Sequence, residues 1–94
     1  MQAVKWYRLA ANLRDPDGQY ALASMYSEGQ GVPKDDVLAV KWYTLAAERG
    51  HASAQWALGI SYMIGEGVAK NYVQAYMWFN LSLAQNEVIP GFRG

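Results

Sequence analysis

The stretch EGQGVPKDDVLAVKWY, residues 28–43, carries a Gly-x-Gly that admits two readings, a cradle for a phosphate or a turn between helices. A dinucleotide-binding loop needs a strand before its glycines, a helix opening directly after them and a third glycine at fixed spacing, and a P-loop needs Gly-Lys-Ser/Thr. None of these is present. Instead, a second copy stands further along the chain, EGVAKNYVQAYMWF at residues 66–79. Together with the preceding Gly65, it repeats Gly29, Gly31, Val32, Lys34, Val37, Ala39 and Trp42 as Gly65, Gly67, Val68, Lys70, Val73, Ala75 and Trp78. The glycines are therefore read as turns, and the chain as a repeat.

Working outward, Ala3-Val4-Lys5-Trp6-Tyr7, Ala39-Val40-Lys41-Trp42-Tyr43 and Ala75-Tyr76-Met77-Trp78-Phe79 fall at one period of 36 residues. Fixed periods of roughly 20 to 50 residues mark stacked arrays. Within a unit, Leu22, Ala23 and Tyr26, then Ala39, Trp42, Tyr43, Ala46 and Ala47, follow the i, i+3, i+4, i+7, i+8 spacing of an apolar helical stripe. Gly29 and Gly31 supply positive-φ positions after a first helix, Pro33 needs no helical N–H partner, and Asp35 or Asp36 caps a second helix, with Asn71 in that place one unit later. Ala46, Ala47, Ala57 and Gly59 admit close backbone approach, while tryptophans and tyrosines fill the space between hairpins. The pattern predicts an all-α chain with helices at 2–14, 17–28, 36–49, 53–64 and 72–86. Trp6, Trp42 and Trp78 recur at a stacking position and are read as core.

Composition narrows the function classes. Without cysteine, the 94-residue chain has no disulfides and no thiolate chemistry. Eight basic and eight acidic residues cancel and are scattered, which removes the electrostatic basis for binding nucleic acid. No run approaches the roughly 20 apolar residues of a membrane span, so the chain reads as soluble, cytoplasmic or periplasmic. Its start inside a repeat reads as a piece of a longer array, from which a targeting signal could have been lost. No nucleophile, base and orienting group can be assembled: the single histidine, His51, lies at a junction between units, and Asp15, Asp17, Asp35 and Asp36 precede helices, where carboxylates satisfy free backbone donors. The serines lack a base at recognisable spacing. Neither an enzyme, a metal site nor a cofactor is expected.

The pattern Ala-x-x-x-Leu-Gly-x-x-Tyr-x-x-Gly-x-Gly-Val-x-x-Asn-x-x-x-Ala, read from Ala54 through Leu58, Gly59, Tyr62, Gly65, Gly67, Val68 and Asn71 to Ala75 and followed by Trp78-Phe79, resembles a Sel1-like repeat, a relative of the tetratricopeptide repeat. Residues 18–50 fit the same pattern with Gly18 for alanine, Ala23 for glycine and Asp35 at the cap. The resemblance implies one domain over 1–94, with 1–16 the second helix of an incomplete repeat, 17–52 and 53–87 complete repeats, and 88–94 a C-terminal tail. Ser82-Leu83 replaces the Ala-Ala of the other units, which marks the last unit as an end of the array. It further implies an α-solenoid that serves as a scaffold or adaptor for protein partners, often in bacteria.

One cluster stands apart from each hairpin's own stripe. Tyr20, Ser24 and Ser27 lie on the side of helix 17–28 away from Leu22 and Tyr26, and Trp56, Ile60 and Met63 hold the equivalent places on helix 53–64. By resemblance, first helices line the concave surface, so these six residues are expected to floor a groove for a peptide or helix of a partner. The alternatives are that Val88-Ile89-Pro90-Gly91-Phe92 folds back over Trp56, Ile60 and Met63, or that the chain is a structural segment or self-associating unit with no ligand of its own. Self-association is expected through the N-terminal helix, whose Trp6, Tyr7 and Ala10 lack a preceding helix to cover them.

Overall fold

The computed structural model describes residues 5, 8–9 and 14–86. Between residues 16 and 86 four helices succeed one another, α1 at Pro16–Glu28, α2 at Asp36–Glu48, α3 at Ala52–Ile64 and α4 at Tyr72–Asn86, and each packs on its neighbour in the chain. The observed helices begin and end within one residue of the expected 17–28, 36–49, 53–64 and 72–86. Of the expected helix 2–14, Lys5, Arg8 and Leu9 are helical, while Trp6, Tyr7 and Ala10 lie outside the described residues, as does the tail from Val88 to Phe92.

Each boundary has a local cause. The side chain of Asp15 accepts from the Asp17 N–H (3.1 Å) and Pro16 opens α1, where its missing N–H is harmless. Asp35 accepts from the Leu38 N–H (3.1 Å) at the start of α2, and Asn71 from the Gln74 N–H (3.1 Å) before α4. Two equivalent bonds then close the hairpins: Asp35 N–H to Tyr26 C=O at 2.9 Å and Asn71 N–H to Tyr62 C=O at 2.8 Å. The turn glycine Gly67 has φ 77° and also sits where one unit meets the next. A Cβ there would come within 2.8 Å of Val40 Cγ2 and press on the Asp36 carbonyl at the start of α2.

The core joins the two hairpins. Ala23, Val40, Tyr43, Ala46, Ala54 and Leu58 are buried in one cluster drawn from α1, α2 and α3. Trp42 and Trp78 are partly buried against it, and Trp42 also packs on the satellite around Leu22, so it bridges both clusters. Small residues permit the close approach. A Cβ on Gly59 would lie 2.6 Å from Phe79 Cε1, so α3 and α4 could not meet as they do with alanine in that place.

Candidate functional site

Trp56, Ile60 and Met63 stand at i, i+4 and i+7 on α3 and are exposed, at 45%, 40% and 43%. The Trp56 ring is held by Phe79 of α4, with centroids 4.5 Å apart and planes tilted by 48°. Beside it opens a cavity of about 450 Å³, lined by Tyr20 from α1, Ala52, Ser53, Trp56, Ala57 and Ile60 from α3, and Ser82 and Leu83 from α4. Its far wall is pinned by Ser82, buried, whose hydroxyl donates to the Ala52 carbonyl at 2.9 Å. The hollow is apolar on Trp56, Ile60 and Leu83 and polar on the hydroxyl-bearing Tyr20, Ser53 and Ser82.

Three of the six residues singled out in the sequence line this cavity. Tyr20, Trp56 and Ile60 line the cavity, whereas Ser24, Ser27 and Met63 are not among its walls. In the first unit the equivalent surface is engaged within the fold. Tyr20 stacks on His51 with centroids 4.7 Å apart and leans on Tyr43 at 5.7 Å. The Ser24 hydroxyl lies 3.2 Å from the Tyr43 hydroxyl, so it has a partner inside the hairpin rather than facing a ligand. Burial pushes the Tyr43 hydroxyl above the usual tyrosine range, partly offset by hydrogen bonds from Ser24 and Ser27.

His51 has a role that sequence reading missed. It caps α3, its Nδ1 accepting from the Ala54 N–H at 3.1 Å, and its Nε2 lies 3.0 Å from an Asp17 carboxylate oxygen. The cap assigns the proton to Nε2, which donates to Asp17. Asp17 therefore stands inside the first turn of α1 and meets His51 at the other end of the same repeat rather than capping the helix, a correction whose reason is that Asp15 already occupies the cap. Also unforeseen are Gln19 and Gln55, both buried and 36 residues apart, with Gln55 Nε2 donating to the Ala47 carbonyl at 3.0 Å. Their recurrence at the repeat period was the available signal. Among the described residues no cluster of three or more His, Cys, Asp or Glu could hold a metal ion, and no helix is long and apolar enough to cross a membrane.

Comparison with known proteins places this geometry in context. The family model for the Sel1 repeat matches residues 1–15, 16–51 and 52–87. Among solved structures, a protective antigen present in uropathogenic Escherichia coli strains, displaying an SLR fold, superposes with a TM-score of 0.89 at 43% identity over 92% of this chain and 18% of its own. A Sel1 repeat protein from Oxalobacter formigenes gives 0.86 at 38% identity, over 87% of this chain and 63% of that one. Helicobacter pylori cysteine-rich protein B gives 0.86 at 26% identity, over 89% and 63%. The chain thus spans less than two thirds of each of these proteins. No curated protein sequence matches it.

Proposed function

The chain belongs to the Sel1 repeat family, and from that premise we propose that it is a non-enzymatic adaptor that holds a peptide or helix of a partner protein in the hollow beside Trp56. Sel1-repeat proteins are generally protein-interaction scaffolds. The observation that carries the reading is the contrast between units. Tyr20, stacked on His51, and Ser24, beside the Tyr43 hydroxyl, are partly buried, while their counterparts Trp56 and Ile60 are exposed, although Trp56 rests on Phe79 and Tyr20 forms one wall of the same cavity. A tryptophan braced on one side by Phe79 and open on the other is an anchor whose rotamer is set before binding, which lowers the entropic cost of association. Ile60 and Leu83 extend the apolar floor, and the Ser53 hydroxyl at the edge offers a hydrogen bond.

A second reading is favoured by the same offset. Ser82 and Leu83 hold the places of Ala46 and Ala47, which are buried in the core that α3 completes, so this surface is also where a following unit would stack. The chain would then be a structural segment of a longer array without its own ligand.

Trp56→Ala separates the readings. Capture from a bacterial lysate on wild type and variant, followed by affinity measurement with the captured protein, is expected to show at least roughly a thirtyfold loss, with a thermal midpoint changed by no more than a few degrees. Equal affinity for both proteins would defeat the adaptor reading. A large fall in the midpoint would mean that Trp56 is structural.

A further inference from the structure

We propose that α4 is a self-association helix, pairing with α4 of a second copy of this chain. The motive is its composition. Residues 72–86, YVQAYMWFNLSLAQN, contain no charged side chain. One side of α4 packs on α3, burying Ala75 and Ser82. The rest of its surface, the outer arc, carries Tyr72, Val73, Tyr76, Met77 and Leu81, exposed at 65%, 78%, 70%, 40% and 43%, with the exposed Asn80 among them. An exposed helix surface with this many large apolar side chains and no charge is a candidate contact surface. The matching positions of α2 are Asp36, Val37, Val40, Lys41 and Leu45, so an acidic and a basic residue of the first unit become tyrosine and methionine in the second.

Three features favour a second copy as the occupant. The arc bears no charge, so two identical arcs meet around a two-fold axis without bringing like charges together. It is rich in tyrosine and methionine, residues over-represented at protein interfaces, and those tyrosines stay half hydrated at a partly wet contact. Its size also fits: five large side chains roughly half exposed or more offer about 500 Å² per copy, near the ~1,000 Å² total at which a specific contact begins. That places the association at the small, transient end of specific contacts. Another unit of the array suits this arc less well. Val40 makes room for the Gly67 turn of the next unit, whereas a tyrosine stands at its counterpart, position 76.

The arc adjoins the hollow beside Trp56, whose α4 wall is Ser82 and Leu83, but Trp56 itself stands on α3 outside it. Sedimentation velocity of the whole chain from roughly 1 to 200 µM is expected to show a monomer giving way to a dimer. Tyr76→Lys and, separately, Met77→Glu should stay monomeric across the range with unchanged far-ultraviolet circular dichroism, and Trp56→Ala should dimerise as the wild type does. A wild type that stays monomeric, or a dimer that survives both α4 substitutions, overturns the proposal. So does a dimer lost in Trp56→Ala, or lost only in Leu9→Lys, which would move the contact to the hollow or to the N-terminal helix.

Discussion

Gly65 and Gly67 look interchangeable in sequence and share nearly the same backbone, φ 73° and 77°, yet replacing each with alanine should have different consequences. Both substitutions incur the left-handed strain of a non-glycine residue, about 1 to 2 kcal/mol. At Gly65 the new methyl would meet Lys70 Cβ at 3.3 Å, a contact relieved by a shift of a few tenths of an ångström. At Gly67 it would meet the Asp36 carbonyl and Val40 Cγ2, atoms of α2 fixed by the core. Overpacking of this kind adds about 1 to 3 kcal/mol. Gly65→Ala is thus expected to lose about 1 to 2 kcal/mol and Gly67→Ala about 2 to 5, out of a total of about 5 to 14 for a domain this size. With a urea slope of about 1 to 3 kcal/mol per molar, the two midpoints should separate by about 1 M. Urea titration followed by circular dichroism reads this directly. Coincident midpoints would mean that the Gly67 turn does not bear on α2, and the argument for tight coupling between units would collapse.

Trp42→Ala should lower stability by about 3 kcal/mol, the low end for a large aromatic, because Trp42 bridges both apolar clusters while staying partly exposed; a denaturation midpoint close to wild type would contradict that bridging role. Tyr43→Phe bears on pH. The folded chain keeps a proton on the buried Tyr43 hydroxyl that the unfolded chain releases near pH 10, so this contribution is complete below about pH 10 and declines as pH rises through the folded value. Midpoints measured between about pH 8 and 11 should fall less steeply in Tyr43→Phe than in wild type, and parallel slopes would exclude Tyr43 as a source.

The helices were legible because their signals are local. Asp15-Pro16, Asp35 and Asn71 cap within three residues, the glycine turns stop the preceding helices, and the 36-residue offset locks the two hairpins to one pattern. The site was less legible because its character depends on what covers each unit. Ser24 and Ile60 hold the same place in the repeat, and both read as groove residues. Only the packing reveals that Ser24 faces Tyr43, while Ile60 borders a cavity. His51 defied reading for a similar reason. Its partners, Ala54 three residues on and Asp17 on another helix, combine a local cap with a tertiary clasp that no spacing encodes. The apolar surplus of α4 was visible in its lack of charge, but which of its residues face outward required α3 to be in place.

The cap of α3 belongs to both units at once. A free N–H group of that helix's first turn is satisfied by an imidazole that is itself steadied by Tyr20 and Asp17 of α1, and the turn after α3 bears on the first residue of α2. Neither end of α3 can therefore come undone without disturbing the hairpin before it. The repeats should melt as one cooperative block, and amide protons in α1, α2 and α3 should exchange with solvent through the same opening event. The weak link, where such an array would fray, falls at α4.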